Sequence, residues 1–139
     1  MNKLTFKIVT PEKLVLQEEV DEVILPTQEG QIAILKDHIP LVSTLRPGEL
    51  VMKKDGRETP LAVSGGFIEV RDNTVTVLAD TAERVEEIDL ARAEEGRKRA
   101  EALLAEKTIE HEDYALLQAR LEKELARLHV ARKHKHRVQ

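Results

Sequence analysis

The chain contains no cysteine and no tryptophan, and Phe6, Phe67 and Tyr114 are its only aromatic residues. Without cysteine it can form no disulfide, no thiolate nucleophile and no cysteine-ligated zinc site. With so few aromatic side chains, a hydrophobic core must be built from valine, isoleucine and leucine, which favour packed β-structure. The missing residue types therefore exclude several kinds of site and favour a β-rich fold.

Long apolar segments and an excess of basic residues are also absent. No apolar run reaches the roughly 18–20 residues that span a bilayer, and the N-terminus has no apolar signal core, so no direct membrane insertion is expected. The formal net charge is −4, whereas nucleic-acid binding requires a basic surface, so no nucleic-acid partner is expected.

Sequence motifs of catalytic and metal sites are missing as well. There is no phosphate-binding glycine loop, no dinucleotide-binding motif, no nucleophile elbow and no metalloprotease histidine pair. His134 and His136 are two residues apart, which places them on different faces of a helix and makes a weak metal site. The sequence therefore predicts neither an enzyme nor a metalloprotein.

Up to residue 84 the sequence alternates short apolar runs with turn residues, as in a β-sandwich or flattened barrel. Asp55-Gly56 and Asp72-Asn73 separate apolar runs and are typical of two-residue hairpin turns. Ser64-Gly65-Gly66 indicates a turn or bulge that requires small residues. Pro26 is expected to end the strand that begins at Val20.

After residue 84 strong helix formers dominate, with no proline and a single glycine, Gly96. Asp89 is a candidate N-cap for a helix that runs to about Glu106, and Thr108 is a candidate cap for a second helix. Apolar residues at helical spacing predict that the two helices pack as an antiparallel hairpin. They are Leu90, Ala93, Ala100 and Leu104 on the first helix, and Tyr114, Leu117, Leu121, Leu125 and Leu128 on the second. The expected architecture is α+β, with domains at residues 1–84 and 85–139.

The apolar stripes of the hairpin are narrow, so its own folding free energy is expected to be small. The sequence is equally compatible with an arm that moves and with a hairpin that stays docked on the sandwich. The basic stretch from Arg127 to Arg137 indicates a frayed helix end or a disordered tail. Its charges either face solvent or contact an acidic partner or phosphate.

One face of the first helix carries a cluster that could bind phosphate. Asp89, Arg92, Gly96, Arg99 and Leu103 are spaced three and four residues apart and share that face. Two guanidinium groups beside a glycine could bind phosphate, with Asp89 accepting a hydrogen bond from a base or a ribose. The simpler alternative is an exposed ion pair between Asp89 and Arg92, worth a few tenths of a kcal/mol.

Four segments together resemble the epsilon subunit of bacterial F-type ATP synthases, along the whole chain and in the family's order. They are residues 9–12, 37–41, 64–70 and 75–84. The resemblance implies a ten-stranded β-sandwich followed by a helical hairpin. It implies a non-catalytic rotor subunit of the proton-translocating enzyme, at the cytoplasmic face of the cell membrane, in contact with the gamma, alpha and beta subunits and the c-ring. It also implies a C-terminal arm that inhibits ATP hydrolysis.

The segment Ile88-Asp89-Leu90-Ala91-Arg92-Ala93 matches the Ile/Leu-Asp-x-x-Arg-Ala motif of family members that bind ATP on the folded hairpin. The resemblance implies ATP as a regulatory ligand, with or without magnesium, and no required cofactor. The implied ATP-binding residues are Glu83, Ile88, Asp89, Arg92, Ala93, Arg99, Lys123 and Arg127. Lys123 stands where those members carry arginine, so it keeps the charge and loses the planar fork.

The resemblance further implies that Glu29 and His38 face the c-ring, and that basic residues of the arm meet an acidic segment of the beta subunit. Those arm residues are Arg120, Lys123, Arg127, Arg132, Lys133 and Lys135. The sequence departs from the family near the c-ring contact, where Gln31 replaces a carboxylate, Ala33 a glycine, and Lys36-Asp37 a Pro-Gly pair. A stand-alone nucleotide-binding module is the alternative function.

Overall fold

The computed structural model describes residues 3–106 and 110–134, in which ten strands precede two helices. The strands are β1 (Leu4–Val9), β2 (Leu14–Val20), β3 (Glu22–Thr27), β4 (Gly30–Leu35), β5 (Leu41–Leu45), β6 (Gly48–Lys54), β7 (Arg57–Val63), β8 (Gly66–Arg71), β9 (Thr74–Ala79) and β10 (Ala82–Arg84). A 3₁₀ turn at Val85–Glu87 leads into α1 (Leu90–Leu104), and α2 (His111–Lys133) follows.

The strands form two five-stranded sheets that face each other as a sandwich. The first sheet has the order β2-β1-β9-β8-β5 and the second the order β10-β7-β6-β3-β4. β1 and β9 pair in parallel, and the other strand pairs of the two sheets are antiparallel. Between the sheets lie fully buried side chains such as Phe6, Ile8, Leu25, Leu50 and Ile68. The ten-stranded sandwich with an aliphatic core is confirmed.

Both predicted hairpin turns are present. Asp55 and Gly56, between β6 and β7, have φ of 51° and 78°, and Asp72 and Asn73, between β8 and β9, have φ of 51° and 55°. Positive φ at both central residues gives a two-residue turn whose twist matches that of the paired strands.

Gly66 explains why the segment after Ser64 needs small residues. A Cβ atom on Gly66 would lie 1.9 Å from the carbonyl oxygen of Leu78 on the neighbouring strand, whereas a Cβ on Gly65 would make an ordinary 3.5 Å contact with the oxygen of Leu45. The close approach of β8 to β9 is therefore possible only with glycine at position 66.

The prediction that Pro26 ends its strand is wrong, since β3 continues to Thr27. β6 pairs with β3 only at residues 22–24, so the missing N–H of Pro26 interrupts no bond to that neighbour. The carbonyl oxygen of Pro26 instead accepts the backbone N–H of Arg46 at 3.1 Å, which connects β3 to the loop after β5.

The two helices form the predicted hairpin, and α2 also packs on β6 and β7. Asp89 caps α1 as expected, because its Oδ1 accepts the N–H of Arg92 at 3.1 Å. α1 ends at Leu104, two residues before the expected end, and α2 has Glu110 as its N-cap residue. The predicted cap Thr108 lies outside the described residues.

The apolar stripe predicted for α2 is only partly correct. Leu128 is buried, but Tyr114 and Leu125 are 48% and 45% exposed. The C-terminal half of α2 buries Ala126, Val130 and Ala131 instead. The difference arises because this half packs on the sandwich as well as on α1, so a single stripe does not describe its buried surface.

Candidate functional site

A pocket with a volume of about 240 Å³ lies between α1 and α2 and is lined by three cations and one carboxylate. The cations are Arg99 of α1 and Arg120 and Lys123 of α2, and the carboxylate is Glu124. The excess of positive charge gives the pocket a potential that suits an anionic ligand. Its volume is below the roughly 300–1,000 Å³ of typical small-molecule sites, so it fits part of a nucleotide, such as a phosphate chain.

Gly96 allows the two helices to approach at this pocket. A Cβ atom at Gly96 would lie 3.1 Å from Cδ of Glu124, closer than an ordinary van der Waals contact. The lone glycine of the helical region therefore makes room for a side chain of the facing helix.

Arg127 connects the pocket to the sandwich. Its Nε forms an ion pair with Glu83 of β10, and its Nη1 lies 3.0 Å from Oε2 of Glu124. The Arg127 and Glu124 side chains are 18% and 14% exposed, so both interactions are partly shielded from water. Charge-assisted hydrogen bonds are stronger in such an environment than on an open surface.

The structure brings together four of the eight predicted ATP-binding residues. Glu83 contacts Arg127, and Glu124 joins Arg127 to the pocket that contains Arg99 and Lys123. Their role in ATP binding stays a prediction.

The other four lie on or just before the first turn of α1, away from the pocket lining. Arg92 is exposed, and Asp89 accepts the backbone N–H of Arg92 and does not pair with its guanidinium group. Ile88 and Ala93 are fully buried as whole residues, so a nucleotide could contact neither in this conformation.

The end of α2 is held on the sandwich by Glu49 of β6. Lys133 Nζ donates to one carboxylate oxygen of Glu49 at 2.7 Å, and His134 Nε2 lies 2.8 Å from the other. Burial alone would raise the pKa of the Glu49 carboxyl, but the hydrogen bonds from Lys133 and His134 outweigh burial and hold that pKa below its ordinary value. We call this three-residue contact the Glu49 clasp.

The expectation of a frayed end or disordered tail from Arg127 onward is wrong for residues 127–134, which are helical or held by the clasp. Val130 and Ala131 are fully buried against Ala62, Val85 and Ile88, and α2 continues to Lys133. No local sequence signal reveals Glu49, because 84 residues separate it from Lys133.

Replacing Glu49 with glutamine is expected to loosen the end of α2. The substitution removes the carboxylate that binds Lys133 and His134, so amide hydrogen exchange at residues 126–133 should become severalfold faster at pH 7. Because the pKa of Glu49 is lowered in the folded chain, its contribution is present above the unfolded-state pKa of about 4.3 and is lost as pH falls through the folded value. Exchange of the original chain, corrected for intrinsic rates, should therefore approach that of the variant in acid.

The matched control is Glu122→Gln, which removes the same charge from an exposed position of α2. Equal protection of residues 126–133 in Glu49→Gln and in the original chain at pH 7 would show that the apolar contacts alone hold the helix.

Several basic residues assigned to the arm are engaged within the chain. Arg132 Nη2 lies 2.8 Å from Oε2 of Glu94 on α1, which joins the two helices, and Lys133 belongs to the Glu49 clasp. Arg97 also binds Glu94 and, first among several causes, holds the pKa of that carboxyl below its ordinary value. Arg120 and Lys123 face the pocket between the helices, and Lys135 lies outside the described residues. In the docked hairpin, Arg132 and Lys133 are thus already paired with carboxylates of this chain.

Glu29 and His38, both assigned to one partner surface, lie at opposite ends of β4. Six residues in a strand span about 20 Å, so one loop does not contain both side chains. Beside His38, Ile39 is 74% exposed, and Val42 on the following strand is exposed to the same extent. Apolar side chains so exposed indicate a contact surface at this end of the sandwich.

The outer face of the first sheet carries a second exposed apolar surface, which the sequence patterns did not reveal. Phe67 and Leu78 lie opposite each other on β8 and β9, and Val9 of β1 lies opposite Leu78. Phe67 is 58% exposed and Leu78 is 50% exposed. The detectable signal is one apolar residue at an outward position of each strand, Phe67 on β8 and Leu78 on β9, in addition to the inward apolar residues.

In residues 3–106 and 110–134, no three histidine or acidic side chains are grouped as metal ligands would be. In the same ranges, neither helix is both long enough and apolar enough to cross a membrane.

Two family models match successive parts of the chain. Residues 3–85 match the family described as ATP synthase, Delta/Epsilon chain, beta-sandwich domain, and residues 86–132 match ATP synthase, Delta/Epsilon chain, long alpha-helix domain.

Relatives of similar length support the match. The ATP synthase epsilon chain of Chloroflexus aggregans is 52% identical over 129 residues, which cover 93% of this chain and 92% of the relative. The ATP synthase epsilon chain of Dehalococcoides mccartyi is 51% identical over 133 residues, which cover 96% and 95%. A chain in the cryo-EM structure of Euglena gracilis mitochondrial ATP synthase has the same fold, with a TM-score of 0.78 at 24% identity over 96% of this chain and 83% of that one.

Proposed function

This chain belongs to the delta/epsilon family of ATP synthase subunits, and from that membership we propose that it is a non-catalytic rotor subunit that couples the catalytic head to the c-ring. Its place is the central stalk, at the cytoplasmic face of the cell membrane, as a peripheral component. The chain itself transmits rotation and regulates hydrolysis, whereas ATP turnover belongs to the catalytic subunits.

The observation that carries the regulatory role is that the hairpin and the sandwich have separate apolar clusters. The main core lies between the two sheets, whereas Val85, Ile88, Val130 and Ala131 form a small cluster with Ala62 on the sandwich surface. Polar contacts at its edges, from Arg127 to Glu83 and from Lys133 to Glu49, complete the attachment. A segment held by so few contacts can detach while the larger core stays folded.

In the proposed mechanism, the detached arm extends into the catalytic head and inhibits ATP hydrolysis. Detachment from the sandwich frees Arg127 and Lys133 from Glu83 and Glu49, and separation of the two helices frees Arg132 from Glu94. These cations then become available to an acidic segment of the beta subunit. The same charges therefore stabilise the docked hairpin and the extended arm in turn.

ATP is the regulatory ligand in this proposal, and it binds the folded hairpin at the pocket between the helices. A ligand shifts a two-state equilibrium only through a difference in affinity between the states. The pocket needs residues from both helices, so separating them would remove the site. Bound ATP would thus favour the docked, non-inhibitory state.

The two exposed apolar surfaces are the proposed partner contacts. We assign the outer face of the first sheet, with Val9, Phe67 and Leu78, to the gamma subunit, because a rotor subunit needs an apolar surface for its permanent partner. We assign the end of the sandwich with His38 and Ile39 to the c-ring. Glu29, at the other end of β4, would then contact a different part of the assembly.

The alternative is a stand-alone nucleotide-binding module, favoured only by the basic pocket between the helices. The two functions differ in their partners. A rotor subunit copurifies with the gamma subunit, and substitution of Phe67 by glutamate should prevent this. A stand-alone module would bind ATP and copurify with no synthase subunit.

Replacing Arg92 with alanine is expected to weaken ATP binding by more than about tenfold. The pocket fits only part of a nucleotide, and Arg92, one turn before Gly96 on the same face of α1, is the proposed guanidinium partner for the part that extends beyond the lining. Arg92 is exposed, and its side chain forms no ion pair within the described ranges 3–106 and 110–134, so the fold should be unaffected. Isothermal titration calorimetry with ATP measures the change. The control is Lys98→Ala, which removes a cation from an exposed position on a different face of α1. If both variants bind ATP as the original chain does, Arg92 has no role in the site.

A further inference from the structure

Glu124 lines the interhelical pocket together with three cations. Among the described residues that line this pocket, it is the only acidic one. Its carboxylate lies against Gly96 and faces Nη1 of Arg127 with both oxygens, at 3.0 and 3.3 Å. A carboxylate in this position makes the interactions that a phosphate oxygen would make with the same guanidinium.

In the part of the chain that the structure describes, the three cations of the pocket form no ion pair with another carboxylate of its lining, so Glu124 is the negative charge inside it. Arg99 is bound to Glu95 on the surface of α1, at 3.1 Å with both side chains mostly exposed. Arg120 and Lys123 form no ion pair within residues 3–106 and 110–134. An excess of positive charge therefore surrounds one partly buried carboxylate, as in an anion site that the chain fills with its own side chain.

Two of the three guanidinium nitrogens of Arg127 are bound to carboxylates. Its Nε is bound to Glu83 and its Nη1 to Glu124, so an incoming phosphate competes with Glu124 for the Nη1 side of the planar fork. Glu124 precedes Arg127 by three residues on α2, so their contact is internal to the helix and does not attach the hairpin to the sandwich. Breaking it need not undock α2.

We propose that Glu124 is an internal competitor for the polyphosphate chain of a nucleotide, and that it sets how much ATP is needed to keep the hairpin folded. The inference rests on the proposed nucleotide site and deepens it. ATP binding must move Glu124 away from Arg127, and the interaction lost in that step lowers the affinity. The arm would accordingly be released at a higher ATP concentration than in a chain with a neutral side chain here.

The test is isothermal titration calorimetry with ATP in excess EDTA, so that metal-free ATP is the only ligand. Glu124→Gln, which keeps the size and removes the charge, is expected to bind ATP about tenfold more tightly than the original chain. Glu124→Ala should show a similar gain. The matched control Glu122→Gln, an exposed position two residues earlier on the same helix, should leave the affinity unchanged.

A double-mutant cycle tests whether the effect acts through Arg127. In an Arg127→Gln background, Glu124→Gln should no longer increase the affinity, because the guanidinium for which the two anions compete is gone. A gain in affinity that persists in that background would overturn the proposal. An equal gain from Glu122→Gln would do so too, because either result would mean that any loss of negative charge on α2 strengthens ATP binding.

The remaining outcomes separate this inference from the function on which it rests. Equal affinities for Glu124→Gln and the original chain would overturn the competition and leave the nucleotide site intact. If neither protein binds ATP at millimolar concentration while the chain still inhibits hydrolysis, the nucleotide site is absent, and the rotor function stands without it.

Discussion

A chain that ends at Arg84 is expected to bind the gamma subunit and to lose all inhibition of ATP hydrolysis, whereas the full chain should slow hydrolysis severalfold. The truncation keeps all ten strands, the core between the sheets and the apolar surface formed by Val9, Phe67 and Leu78. It removes the arm and every basic residue proposed to contact the beta subunit. Binding and inhibition should therefore separate completely.

The measurement is the hydrolysis rate of a catalytic head of alpha, beta and gamma subunits that lacks its own epsilon subunit, with either form added in excess. Gel filtration shows in parallel which form binds the head. A full-length Phe67→Glu variant is the control, because it keeps the arm and disrupts the proposed docking surface. It should neither bind nor inhibit.

Each result has a definite meaning for the proposed function. Inhibition by the truncated form would place the inhibitory contact on the sandwich and refute the arm mechanism. Binding of both forms without inhibition would leave a coupling subunit whose hairpin has another role, such as nucleotide sensing. Failure of both forms to bind would contradict the rotor assignment itself.

Replacing Gly66 with alanine is expected to destabilise the sandwich by on the order of 3 kcal/mol or more, enough to unfold a marginal domain. The added Cβ would lie 1.9 Å from the oxygen and 2.9 Å from the carbon of the Leu78 carbonyl. Both are backbone atoms, so no side-chain rotation relieves the overlap and β8 must separate from β9. The substitution acts on the strand pair that carries Phe67 and Leu78, so binding to gamma should fail with stability.

The neighbouring residue supplies a matched control. Gly65→Ala adds the same methyl group, but its Cβ would lie at an ordinary 3.5 Å from the oxygen of Leu45. Urea denaturation should show a large loss for Gly66→Ala and a change within about 1 kcal/mol for Gly65→Ala. Similar losses of stability in the two variants would mean that both positions need glycine for its backbone conformation. Lack of space beside Leu78 would then not explain the effect at Gly66.

The sequence predicted well what local chemistry decides. The turns at Asp55-Gly56 and Asp72-Asn73 follow from residues that adopt positive φ, and the cap at Asp89 follows from a side chain that reaches the N–H of Arg92. The change from strands to helices follows from periodicity and from the loss of proline. Each prediction needs only residues within one or two turns of each other, so it can be made without the fold.

The predictions that failed depend on neighbours distant in the chain. Pro26 continues its strand because β6 no longer pairs there, and Leu125 is exposed because the C-terminal half of α2 buries Ala126, Val130 and Ala131 instead. The pairing of Glu83 with Arg127 was not predicted as a contact, although both residues were assigned to one site.

By itself, then, the sequence determined the β-sandwich and the helical hairpin and supplied candidate residues for a phosphate site, because backbone conformation and side-chain chemistry are local properties. Only the tertiary structure decided which charges meet: Glu49 meets the end of α2, and Glu124, which lines the pocket at Gly96, meets Arg127. Electrostatic interactions act through space and depend on distance and burial, so whether a cation is available to ATP or already bound to a carboxylate is settled by packing.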